Sequence, residues 1–267
     1  MIALNETHIR SYIHNNTLNK LLHFHVLDTI DSTNLFLRNQ PHIEGINICC
    51  AEMQTDGRGR FGRHWHSPRG ENIYFSARLS FNCDLSLLSG LSLVVSLAVI
   101  QVFKELGITN HLLIKWPNDI LWHEQKISGC LIELISESYS QTEVIIGIGI
   151  NINSNTQMHP LPDKPWCSLF DITGEFHDRN DIIGRLIEHL YLYLNQLTTA
   201  GFVHFLAQWH EFDKLYEQQI NVQTPMGSLS GQAKGVDDTG RLILIDNQEK
   251  THYLSSGETS ITIQDLL

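Results

Sequence analysis

Apolar and polar positions alternate over much of this chain, and the stretches where a longer period replaces alternation mark its helices. HFHVLDTI at 23–30 reads as a strand. It runs into the turn-prone DSTN at 31–34 and then a helical stretch around Leu35–Arg38. Ile46–Met53 is a β-rich run, and Asn72–Phe81 alternates through Ile73, Phe75, Ala77 and Leu79 as a half-buried strand does. The apolar stretch at about 85–106 predicts a buried core helix closed by Gly107. Leu112–Ile114 enters K-W-P-N-D at 115–119, where Pro117 and Asn118-Asp119 force a turn. Ile120–Trp122 and Lys126–Ile135 predict a hairpin across HEQ. Glu143–Asn153, EVIIGIGININ, is the clearest strand, and helices are predicted at about 179–197 and 201–217.

Three segments follow. Residues 1–21 are polar, with a helical turn or two around Ile9–Ile13; residues 22–218 form an α+β core. Residues 219–267 hold five short β-like runs (INVQT, SLSGQAKGV, RLILID, THYLSS, TSITI), which predict a small appended barrel or sheet. Residues 1–21 are too short for a helix-turn-helix domain.

Composition narrows the classes. Of 267 residues, 42% are hydrophobic and 18% charged, an ordinary balance for a globular protein. With 18 Lys+Arg against 29 Asp+Glu, the net charge of −11 suits a local phosphate site and not broad DNA contact. The five cysteines are odd in number and lack C-x-x-C spacing, so reduced thiols and a cytoplasmic location are expected. His23/His25 and His64/His66 read as alternation before they read as metal pairs. No signal-peptide pattern opens the chain. The longest apolar stretch, Leu91–Phe103, is interrupted by Ser92, Ser96 and Gln101. It falls short of the roughly 20 residues that a membrane span takes, so no membrane partner is expected.

Four constellations carry the candidate chemistry. QTDGRGRFGRHW at 54–65 packs Gly57, Gly59, Gly62, Arg58, Arg60 and Arg63 into seven positions. It reads either as a solvated hairpin or as a mobile anion clamp, and it is not a P-loop. K-W-P-N-D offers Asn118 and Asp119 to a Mg²⁺ or a ribose, or is a plain turn. Lys126 opens an apolar strand, either snorkelling from its end or aimed into a cleft. In EVIIGIGININ one face carries Val144, Ile146, Ile148 and Ile150, and the other carries Ile145, Gly147, Gly149, Asn151 and Asn153. The glycines leave a trough for a ligand or for close packing.

In this order the pieces resemble one family, the biotin–protein ligases: DSTN (31–34), Q-T-x-G-R-G-R-x-G-R-x-W (54–65), KWPND (115–119), K-[IL]-x-G-x-L-x-E (126–133), GIGIN (147–151) and the late SGETSI (256–261). Lipoate ligases share the fold but, as a group, lack the full set. The resemblance implies a class II synthetase-like mixed β-sheet packed by helices, with a small SH3-like β-barrel behind it. It implies that biotin and ATP form biotinyl-5′-AMP with Mg²⁺. Biotin then passes to a lysine of a biotin carboxyl carrier protein, an acetyl-CoA carboxylase subunit. By the same resemblance Ser32, Thr33, Asn34 and Gln54 line the biotin pocket. Gly57, Arg58, Gly59, Arg60 and Trp65 belong to the closing loop, and Arg63 faces phosphates. Lys126 contacts the biotin carboxylate and the α-phosphate. Gly129, Leu131 and Gly147 flank biotin, and Asn118, Asn151 and Trp166 border the adenosine. Asp119 is the candidate base for the acceptor lysine; the metal ligands stay open. Phe61 departs from members that are basic there. The short leader points to a monofunctional ligase without DNA binding. Strand edges leave a homodimer open. The rival readings are a lipoate ligase or octanoyl transferase on the same fold, and a biotinyl-adenylate-binding module without catalysis.

Overall fold

The computed structural model describes residues 2–14, 17, 22–138, 141–157, 165–225 and 227–261. A seven-stranded mixed sheet carries the molecule: β1 (Leu22–Ile30), β2 (Ile46–Gln54), β3 (Ile73–Phe81), β4 (Leu112–Lys115), β5 (Asp119–Trp122), β6 (Gln125–Ser138) and β7 (Gln141–Ile150). Their order across the sheet is β1-β2-β3-β7-β6-β5-β4. Only β1 and β2 run parallel, with α2 (Thr33–Asn39) crossing between them; the other pairs are antiparallel.

β7 lies between β3 and β6, buried on both faces. Its alternation sends Val144, Ile146, Ile148 and Ile150 into the main core, with α3 (Leu91–Glu105) and α5 (Arg179–Ala200). Ile145 turns the other way, onto Leu37 of α2 and Cys49. Arg78 fixes that opposite layer. It holds both oxygens of Glu143 at 3.0 Å and donates to the carbonyls of Leu37 and Gln40, so one buried guanidinium ends α2 and ties it to β3 and β7.

The expected helix at 85–106 is divided. Leu85–Leu88 is a short 3-10 turn, Gly90 adopts a left-handed φ of 76°, and α3 follows. Residues 85–105 have the length and apolarity of a membrane-crossing helix. The continuous helix is only 15 residues, about 22 Å long, and most of its side chains are buried inside the protein. The expected helix at 201–217 is likewise broken. Gly201 (φ 71°) starts a 3-10 turn, Phe202–Phe205, then α6 (Leu206–Phe212), and Asp213 ends it by accepting from the Leu215 amide at 2.9 Å. A helix absent from the sequence expectation, α4 (Leu169–Thr173), is set by a capping box of Ser168 and Asp171 and stops at Gly174.

At the other end, α1 (Glu6–Ser11), capped by Asn5, places Ile9 in the core, and Leu4 and Ile13 are buried beside it. Buried Arg179 pairs with Glu52 at 2.7 Å and donates to the Ile2 carbonyl, which makes this leading segment part of the core.

The second sheet holds β8 (Gln219–Thr224), β9 (Gly227–Val236), β10 (Leu242–Asp246), β11 (Thr251–Leu254) and β12 (Glu258–Ile261), antiparallel in the order β11-β10-β9-β8-β12. The last two residues of the expected TSITI run lie outside the described residues. Ile220, Val222, Ala233, Leu242 and Leu244 extend the main core into this sheet. Trp116 Nε1 donates to the Gly240 carbonyl at 3.1 Å, and Thr259 Oγ1 donates to the Trp116 carbonyl at 3.1 Å. The K-W-P-N-D turn is thereby clamped against β12. All five cysteines are free thiols.

Candidate active site

After β2 the chain doubles back over the sheet. Residues 57–65 close into a hairpin: the Gly59 amide donates to the Arg63 carbonyl at 2.7 Å, and the Trp65 amide to the Gly57 carbonyl at 2.8 Å. Its tip is Phe61 (φ 56°) followed by Gly62 (φ 73°), and the Phe61 ring is exposed under the Arg60 guanidinium. The segment read from sequence as a loosened flap takes the form of a hydrogen-bonded hairpin. Gly149 explains where it rests. A Cβ there would lie 2.4 Å from the Trp65 indole, so the strand is bare to let that ring lie on it. Gly57 sits behind the hairpin, pressed on the Trp65 carbonyl and Ser67.

The cations converge on one cavity, but each already has a partner. Lys126 Nζ donates to Asp119 Oδ1 at 2.6 Å and stands 5.2 Å from the Trp65 ring centre. Gly129 is bare beneath that ammonium. Arg60 Nη1 donates to Asn118 Oδ1 at 3.2 Å; burial pulls its guanidinium down from the ordinary value. Asn118 is held in turn by the Cys130 carbonyl at 2.8 Å. Arg63 pairs with Glu258 at the start of β12. Arg58, half-exposed, lies 3.8 Å from Asp56. Burial pushes the Cys130 thiol in the cavity wall up to about 12, so it is protonated at neutral pH. Asp119, bonded to Lys126, orients that ammonium.

The far end of the cavity is built from acceptors. Gln54 Oε1 accepts from the Thr33 amide at 2.9 Å and lies 3.1 Å from Thr33 Oγ1. Ser76 Oγ lies 2.7 Å from Thr33 Oγ1 and 2.6 Å from Asn34 Oδ1. Gln54 Nε2 donates to Ser67 Oγ, which donates to the Trp65 carbonyl. Gly147 is bare because Asn34 lies on it: a Cβ there would stand 2.2 Å from Asn34 Oδ1. The structure therefore brings Ser32, Thr33, Asn34, Gln54, Arg58, Gly59, Arg60, Arg63, Trp65, Asn118, Asp119, Lys126, Gly129, Leu131 and Gly147 around one cavity of about 140 Å³.

Three expected residues lie outside its lining. Gly57 serves the hairpin's own packing. Asn151 is buried, and its amide nitrogen is engaged by the carbonyls of Lys126 (3.3 Å) and Cys167 (3.1 Å), which makes it a clamp behind Lys126. Trp166 runs alongside Lys126 as a backbone bridge, and its indole nitrogen is buried without a hydrogen-bond partner. Ser76, Ser67 and Tyr74 had no place in the sequence reading, while Glu133, Glu258 and Thr259 stood in its motifs without an assigned role. Of the first three, Ser76 alone had a local signal, a small hydroxyl in the apolar run IYFSARLSF.

Comparison with known proteins gives two family matches: the Biotin/lipoate A/B protein ligase family over residues 26–151, and the Biotin protein ligase C terminal domain over residues 216–261. The chain is 31% identical over 220 residues to the bifunctional ligase/repressor BirA of Escherichia coli, covering 82% of this chain and 68% of that one. It is 30% identical over 239 residues to the biotin–[acetyl-CoA-carboxylase] ligase of Paracoccus denitrificans, covering 82% and 92%. Among solved structures, the biotin protein ligase from Aquifex aeolicus in complex with biotin and ATP superposes with a TM-score of 0.76 at 27% identity, over 90% of this chain and 98% of that chain.

Proposed function

The chain belongs to the biotin–protein ligase family, and on that premise we propose that it condenses biotin with ATP to biotinyl-5′-AMP, releases pyrophosphate, and passes the biotinyl group to a lysine of a carboxyl-carrier domain. One observation carries the reading. A single cavity joins an acceptor-rich end at Thr33, Asn34 and Gln54 to a cationic end at Lys126, Arg60 and Arg63, in a chain of net charge −11. Biotin has matching ends, a ureido head with N–H donors and a carboxylate tail. Both substrates of the first step are anions. Lys126 and the guanidinia offset their repulsion and stabilise charge on the phosphoryl oxygens. Positioning supplies most of the remainder. The hairpin over Gly149 screens the labile mixed anhydride from water until the acceptor arrives. In this reading residues 22–218 carry the chemistry, and residues 219–267 supply one wall through Glu258 and Thr259.

The donor set fits magnesium only as a nucleotide-borne ion. No three His, Cys, Asp or Glu side chains cluster for a metal among the described residues, and the cavity's two carboxylates, Asp119 and Glu258, each face a cation. Such an ion takes most of its oxygens from phosphate and water and neutralises phosphate charge, with Asp119 the protein oxygen best placed to join it.

Incubation with ATP, Mg²⁺, biotin and a carrier domain should yield a carrier that reacts with avidin on a blot; incorporation of lipoate in its place, or no transfer, would overturn the reading. Lys126→Ala is expected to lower biotin-dependent pyrophosphate exchange by about 10²–10³-fold.

A further inference from the structure

Glu133 lies outside the cavity lining, yet it holds a side chain that lines it. It follows Leu131 by two residues on β6, so it shares that face with the cavity wall. Its Oε2 accepts from Asn34 Nδ2 at 2.7 Å, and the Leu131 carbonyl lies 3.5 Å from the same nitrogen. Its Oε1 accepts from Arg38 Nη2 at 2.8 Å. Asn34 and Arg38 are one turn apart on α2, so Glu133 grips both.

A side-chain amide can flip, exchanging a donor pair for an acceptor. A carboxylate and a carbonyl accept only. With both on one side of Asn34, the nitrogen must face them and the oxygen must face Ser76. The Gln54 oxygen is fixed in the same way by the Thr33 amide. Three oxygen–oxygen contacts then run in series: Asn34–Ser76 at 2.6 Å, Ser76–Thr33 at 2.7 Å and Thr33–Gln54 at 3.1 Å. Only Ser76 and Thr33 bring a hydroxyl proton. Three contacts share two protons, and the row is one donor short.

We propose that Glu133 is a positioning residue for ligand selection: by locking the Asn34 amide it leaves a row of oxygens short of one proton, which accepts only a ligand head that carries N–H or O–H donors. This rests on the ligase reading for its ligand, the ureido head of biotin, and goes beyond it in assigning the choice of head group to a residue that need not touch the ligand. Without the lock, Asn34 turns its nitrogen to Ser76, the missing donor is supplied from within, and the row loses its preference.

The test is biotin binding by titration calorimetry without ATP, on the full chain, with a thermal melt of each variant. Glu133→Gln, whose own amide can turn either way, is expected to weaken biotin about tenfold, the loss of one neutral ligand hydrogen bond at the upper end of its usual worth, while KM for ATP is unchanged. Arg38→Ala removes the ion pair but not the lock, and should bind within about twofold of the parent. Asn34→Asp sets two carboxylates against each other and should abolish binding; adding Glu133→Gln to it should restore much of it, since glutamine can donate to one aspartate oxygen and leave the other on Ser76. Unchanged biotin affinity in Glu133→Gln would overturn the proposal and leave the ligase reading standing. Equal losses in Arg38→Ala and Glu133→Gln would overturn it too, by making Glu133 a mere anchor for α2. A parent protein that binds no biotin would instead sink the ligase reading.

Discussion

Gly147 and Gly149 alternate along β7, and each holds room for a different side chain, the Asn34 amide over one and the Trp65 indole over the other. The sequence made the trough legible, because two glycines on one face of a central strand need a reason. It did not tell what fills the trough, because Asn34 and Trp65 arrive from distant turns. Gly147→Ala would press a methyl group onto Asn34 Oδ1. We expect a loss of about 1–3 kcal/mol in stability, as for other overpacked sites, and a larger loss in biotin affinity, both measurable by melting and titration of one variant. Asn151 shows the limit of reading a polar residue at a strand end. Its position pointed to the ligand, and its side-chain nitrogen donates to the carbonyls of Lys126 and Cys167. No local pattern separates those two fates.

The strands were the most readable elements, since alternation between a helix-packed face and a trough face leaves a period of two along β3 and β7. Helix ends were less so. Gly90 falls inside the expected helix at 85–106, but its left-handed backbone breaks the run, and Phe202 lies 2.4 Å from where a Cβ would stand. Gly90→Ala is expected to cost about 2–4 kcal/mol through backbone strain and overpacking, readable as a lower denaturant midpoint with unchanged slope. The arginine hairpin was legible as a candidate anion clamp, and the turn that shapes it was not. Its order depends on Trp65 seated over β7 and on the Arg63–Glu258 pair, and Glu258 comes from the other sheet. Glu258→Ala should leave the fold intact and speed tryptic cleavage after Arg58, Arg60 and Arg63 in the ligand-free protein; cleavage at the parent rate would show that the pair does not pin the hairpin.

At the scale of the molecule, the acidic balance and the α+β plan with an appended β unit were both readable, because composition and texture are properties of long windows. The union of the two sheets was not, since Trp116 meets Thr259 across 143 positions. Another long-range pair, Arg78 with Glu143 inside the first sheet, shapes the response to acid. Burial opposes ionisation of Glu143, but Arg78 and His42 outweigh it and hold its carboxyl below the ordinary glutamate value. The unfolded chain therefore binds the extra proton first on acidification. The stability this provides is full above the ordinary value and is lost as pH falls through the lowered one. Glu143→Gln should be less stable near neutrality and show a flatter decline below about pH 4.5, seen in melts taken across that range. The clamp of the K-W-P-N-D turn by Gly240 and Thr259 also has a meaning in time. A ribosome that has released residues 22–218 has delivered every arginine of the hairpin and Lys126, but not Glu258 or Thr259. A chain of that length carries its charges around a cleft that still lacks the wall of Glu258 and Thr259, so in the proposed reaction β12 is what completes the enclosure.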